Sequence, residues 1–109
     1  MGNPVLIWTN DNPTANFGAQ KVYLDLSSYK AVGIKCRESE DTMFIFTKTS
    51  IDTTSTWKGC CGASYSGTGT RGRLINAITD EYIDFGNGTS NTSAASASSM
   101  QPTYIYGIS

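Results

Sequence analysis

Histidine is absent from this 109-residue chain, and other scarcities narrow its chemistry further. Without imidazole, Ser–His–Asp catalysis is excluded and a cysteine nucleophile lacks its usual base. The three cysteines, Cys36, Cys60 and Cys61, are an odd number, and the adjacent pair is poor geometry for a bridge with ordinary backbone. They read as three reduced thiols of a protein made in the cytoplasm, and with no His beside them they form no metal set. Charge is sparse as well. Eight Lys and Arg against nine Asp and Glu leave a net charge of −1, so no basic footprint for nucleic acid or an anionic membrane is present. No apolar run approaches the roughly 20 residues of a membrane span. The opening "MGNPVLIW" has neither the basic region nor the cleavage site of a signal peptide.

What the chain does have is Ser, Thr, Asn and Gly in abundance, with 39% hydrophobic residues, enough for one modest core. A single domain over residues 1–109 is expected. The pattern is that of strands. "PVLIWT" is a short apolar run led by Pro4, followed by the turn-rich "NDNPTANFG". In "QKVYLDLSSY", Val22, Leu24 and Leu26 alternate with Lys21, Tyr23 and Asp25. "KAVGIKC" repeats the alternation, with Val32, Ile34 and Cys36 inward, and "TMFIFTKTS" is rich in aromatic and β-branched residues. "EYIDFGNG" alternates again, and a hairpin is expected around Thr79–Asp80.

Residues 50–70 have no dependable period beyond a strand expected near Thr56 to Gly59, and "RGRLINAIT" fits neither the helix nor the strand template cleanly. Seven or eight short strands without a helix predict an all-β fold, an antiparallel β-sandwich of jelly-roll type. The predicted core layer is Val22, Leu24, Leu26, Val32, Ile34, Phe44 or Ile45, Ile83 and Phe85.

The C-terminus raises a separate question. A polar run from Gly86 to Ser99 gives way to "PTYIYGIS", which a disordered tail would not do. The last strand is therefore expected to pair inside a sheet with a distant partner, the first strand being the candidate, and the preceding loop only has to span the gap.

The segment "VLIWTNDNPTANFGAQKVYLDLSSY", with "FGNG", a variable Ser/Thr/Asn-rich loop and a terminal "IYGI", resembles C-terminal domains of tail-fibre or minor structural proteins of phages and prophages of Gram-positive bacteria. The resemblance rests on Trp8, Asn10, Asn12, Pro13, Phe17, Ala19, Gln20, Leu24–Leu26, Ser27, Tyr29 and Ile105–Ile108. It thins between Ser50 and Tyr65, where "WKGCCG" is unusual, and Ser109 replaces a usual basic residue. It implies a non-enzymatic, structural or receptor-binding domain at the end of a longer fibre protein. Such a domain is assembled in the bacterial cytoplasm, located in the virion tail, often trimeric and in contact with the host envelope.

Candidate chemistry is thin. "GTGTRG" matches a dinucleotide-binding glycine pattern, but neither the strand before it nor the helix after it is present, so it reads as a turn and no cofactor is expected. The acidic clusters Glu38/Glu40/Asp41 and Asp80/Glu81/Asp84 would serve a small glycan hydrolase only if held across a cleft, and they match no calcium loop; solvated turns explain them. Aromatic residues are the better lead, because a sugar ring lies on a flat aromatic face. Trp57 and Tyr65 are the expected ligand-binding residues for host cell-wall polysaccharide, set against a role for Trp57 in plugging the sandwich. A free-standing carbohydrate-binding module is the alternative. Tyr104 and Tyr106 share one face of the last strand, and with the resemblance they predict a homotrimer in the intact fibre.

Overall fold

The computed structural model describes residues 2–48, 59–65, 69–90 and 97–109, with the backbone alone at 64 and 65. It shows eight strands and, among these residues, no helix: β1 Val5–Thr9, β2 Gln20–Tyr23, β3 Ala31–Cys36, β4 Phe44–Thr47, β5 Gly59–Tyr65, β6 Thr70–Ile78, β7 Tyr82–Ser90 and β8 Pro102–Ile108. They form two antiparallel four-stranded sheets packed as a sandwich, ordered β1-β8-β3-β4 and β2-β7-β6-β5. The ends of the chain nest as in a jelly roll: the first strand pairs with the last and the second with the seventh. Nesting stops there. β3 pairs with β4 and β6 with both β5 and β7, so the remaining strands follow sequence order as hairpin neighbours.

The terminal strand is held from both sides. β8 pairs with β1 through Leu6↔Tyr106 and Thr9↔Tyr104, and with β3 through Gly33↔Tyr106 and Ile34↔Ile105. These ladders, and not the polar residues before it, fix its position.

The core is what alternation implies on most strands. Val22, Leu26, Val32, Ile34, Ile83 and Phe85 are buried in one cluster, joined by Phe17, Ile75, Ile78, Met100 and Ile105. Leu24 is half-buried against that cluster. Phe44 and Phe46, not Ile45, turn inward on β4; Ile45 is 52% exposed. An edge-to-face series, Trp8 on Phe17 (6.3 Å between centroids) and Phe17 on Phe85 (5.6 Å), ties the β1–β2 connection to the second sheet.

Two boundaries differ from expectation. β2 ends at Tyr23 rather than running on to Leu26, although Leu24 N–H and Leu26 N–H still donate to Glu81 and Asp80 carbonyls. β7 continues past Asn87–Gly88 to Ser90, because pairing with β6 satisfies its backbone there in spite of poor strand propensity. The strand expected near Thr56 to Gly59 lies, up to position 58, outside the described residues; β5, "GCCGASY", owes its strand to pairing with β6, with a bulge between Cys61 and Ser64. The expected hairpin at Thr79–Asp80 is present: Ile78 opposes Ile83, and Thr79 Oγ1 accepts from the N–H groups of Glu81 and Tyr82.

Candidate functional site

Among the described residues two places hold chemistry, one on the surface and one inside. On the surface, β2 and β7 bring Tyr23 and Tyr82 directly opposite each other. Their rings meet edge to face at 5.7 Å, and Lys21 Nζ lies 4.6 Å from the centre of the Tyr82 ring. Tyr23 is 69% exposed, the most exposed large hydrophobic residue described. Beside it a shallow depression of about 400 Å³ is lined by Tyr23, Leu24, Asp25, Asp80 and Glu81.

The rim of that depression is pinned. Lys48, just beyond β4, donates to the Leu26 carbonyl at 2.9 Å and pairs with the Asp80 carboxylate, joining the end of β4 to the β6–β7 turn. Asp25 accepts from Ser27 Oγ at 2.6 Å and from Ser27 N–H at 3.1 Å. The Ser27 hydroxyl first, and then its N–H, hold the Asp25 carboxyl below the ordinary aspartate range, so it stands ionised as a hydrogen-bond acceptor. An exposed aromatic edge beside fixed carboxylate acceptors suits a polyhydroxylated ligand.

The residues expected from sequence fall elsewhere. Trp57 lies outside the described residues. Tyr65 closes β5 with its backbone opposite Thr70, and its side chain is likewise outside the described part. The Tyr23–Tyr82 pair was legible as two outward tyrosines on separate strands, but the register that opposes them was not. Of the acidic residues, Asp80 is taken up by Lys48, and Glu38 lies 3.5 Å from Arg71. Among the described residues no three Cys, Asp or Glu side chains gather as a metal site.

Inside, the surprise is Arg73 on β6, which has no exposed surface. Each of its five N–H groups donates to a backbone carbonyl: Nε to Met100, one terminal nitrogen to Phe17 and Gly86, the other to Ala97 and Ser99. No carboxylate pairs with it among the described residues. Its guanidinium carbon lies 5.6 Å from the centre of the Phe17 ring. Burial lowers its pKa from the ordinary arginine value.

This one side chain gathers the β1–β2 connection, β7 and the approach to β8. It also braces Met100, a fully buried residue held at φ 51°, where the chain turns into the last strand. The parity Arg73–Ile75–Ala77, which the structure keeps inward in spite of register shifts against β7, was the available signal for an inward arginine.

Beside Arg73 stand two thiols. Cys61 opposes Arg73 across the β5–β6 ladder, and Cys36 reaches it from the other sheet with its Sγ 3.5 Å from that of Cys61. Both are fully buried, whereas Cys60 is exposed on the opposite face of β5. Comparison with family models, curated proteins and solved structures finds no match to this chain.

Proposed function

We propose that the chain is a non-enzymatic domain of a phage tail or fibre, structural or receptor-binding, that contacts host cell-surface glycan through the Tyr23–Tyr82 edge. The observation that carries this reading is the exposed Tyr23 ring, packed against half-buried Tyr82 and beside the Asp25 carboxylate, which offers a stacking face and hydrogen-bond acceptors together. The resemblance to tail-fibre domains supplies the setting: a virion tail, with host cell-wall polysaccharide as the ligand. Engagement of Asp80 by Lys48 supports a role as a fixed acceptor over a proton-carrying acid, and so favours binding over hydrolysis. A free-standing carbohydrate-binding module would use the same surface, and the neighbouring genes separate the two readings: tail genes favour the fibre, an adjacent catalytic domain the module.

In the intact fibre the domain is proposed as a homotrimer that meets its copies across the outer face of the β1-β8-β3-β4 sheet. Leu6, Tyr106, Gly33 and Ile45 form one cross-strand row over all four strands there, with Leu6 and Ile45 each about half exposed. Tyr104 and Tyr106 are half-buried on this face, and Lys35 Nζ lies 5.5 Å from the Tyr106 ring centre.

The test of ligand contact is calorimetric titration of purified cell-wall polysaccharide into the protein and into Tyr23→Ala. A tenfold or greater loss of affinity in the variant supports the site. Equal binding by both moves the site elsewhere on the domain, and absence of binding by the parent leaves a purely structural role.

A further inference from the structure

The geometry points to Cys36 and Cys61 as a redox-active dithiol that closes into a disulfide joining the two sheets when the protein meets a low-molecular-weight disulfide. This inference is independent of the glycan reading. Three observations converge on it.

The first is contact. The sulfur atoms are 3.5 Å apart, one on β3 and one on β5, and a bond between them requires an approach to about 2.05 Å. Cys60, on the other face of β5, is not placed to compete for Cys36 in this way.

The second is the backbone that admits the contact. Gly62 has φ +73°, and a Cβ there would stand 2.9 Å from Cys36 Cβ and 3.1 Å from its Sγ. Only glycine lets Cys36 settle against the β5 bulge. β5 is also an edge strand, so opening that lets a small reagent reach the pair disturbs one ladder only.

The third is the charge beside it. Cys61 faces Arg73 directly across the ladder, and that guanidinium has no carboxylate partner among the described residues. Disulfide exchange passes through a thiolate, which a buried apolar site disfavours. The Cys36 hydrogen bond and then burial push the Cys61 thiol well above its ordinary value, and Arg73 pulls against them. The cation is thus placed to support the anion that forms when the site opens.

The chemistry balances with the small disulfide as oxidant. One protein thiol loses its proton and attacks a reagent sulfur, expelling one thiolate. The second protein thiol, also deprotonated, then attacks the mixed disulfide at the protein sulfur and expels the other thiolate. One S–S bond breaks and one forms between the two Sγ atoms. The protein gives up two electrons, and the reagent leaves as two thiols that take the protons.

The experiment is incubation of the native protein and of Cys60→Ser with oxidised glutathione, followed by alkylation in denaturant and peptide mapping by mass spectrometry. The expected result is a Cys36–Cys61 linked peptide, 2 hydrogens lighter than the reduced pair, in both proteins. Because the link closes a loop across two sheets, the oxidised Cys60→Ser protein should melt on the order of 10 °C higher than its reduced form. Recovery of free Cys36 and Cys61 after complete reaction at Cys60 overturns the proposal. So does a Cys60–Cys61 link, or a Cys36–Cys61 link that leaves melting unchanged or lowers it. Mapping is done on a folded parent, so it does not depend on whether Cys36→Ser folds.

Discussion

The interior around Arg73 and the surface around Tyr23 both place a cation against an aromatic ring, and the outcome differs with solvent. Lys21 over Tyr82 is an exposed contact whose removal leaves two groups free to hydrate. Arg73 over Phe17 is the visible part of a network in which five backbone carbonyls depend on one side chain. In water an unmade hydrogen bond is replaced; inside the sandwich it is not. The interior site is therefore unforgiving, and the surface site tolerates substitution.

That contrast can be broken at several points. The largest effect is expected for Arg73→Ala, which strands carbonyls of Phe17, Gly86 and Met100 in the core and should cost about 3–5 kcal/mol in denaturant unfolding. Arg73→Lys keeps the charge but offers three donors for five and should fall between parent and Ala. A loss below about 0.5 kcal/mol for Arg73→Ala would mean that the network contributes no more than a surface contact.

Leu26→Ala comes next. Leu26 is fully buried, and its truncation should cost about 2–5 kcal/mol, with half-buried Leu24→Ala distinctly smaller. Equal losses at the two positions would contradict the early end of β2. Gly62→Ala should cost about 1–3 kcal/mol, because alanine is strained at φ +73° and its methyl meets Cys36.

At the surface the effects shrink. Lys48→Met, removing the ion pair with Asp80, should cost about 0–1 kcal/mol. Asp25 adds a pH dependence of known sign. Its folded pKa is depressed, so its stabilisation is present above the unfolded aspartate value and is lost as pH falls through the lower folded value. Acid titration of Ser27→Ala should show this loss reduced but not abolished, because the backbone N–H at position 27 still donates to Asp25; an identical acid limb in parent and variant would show that the Ser27 hydroxyl bond does not form in solution. Smallest of all, Tyr23→Ala should change stability by no more than about 0.5 kcal/mol, while the proposed glycan contact requires the same variant to lose affinity tenfold or more.

Legibility in the sequence tracked alternation. Where polar and apolar residues alternate without interruption, as in Val22, Val32–Cys36 and Ile83–Phe85, the strand, its buried face and the hairpin between β6 and β7 followed directly. Where small residues dominate, as in "GCCGASY", strand character comes from a neighbour's unpaired backbone, and no local pattern records it. Arg73 was hard to place for a related reason, in spite of its parity with Ile75 and Ala77. Arginine defaults to solvent, and its burial here depends on carbonyls contributed by positions 17, 86, 97, 99 and 100, which only folding brings together.

The sequence alone determined the all-β class, most of the core, the absence of histidine chemistry and the need for the last strand to pair far back in the chain, because period, composition and the hydrophobicity of "TYIYGI" are local properties. Tertiary structure alone decided which distant residues meet: Tyr23 with Tyr82, Cys36 with Cys61, and Arg73 with the turn that launches β8. Those encounters are set by sheet order and register, and a shift of one residue would turn each of these side chains to the other face.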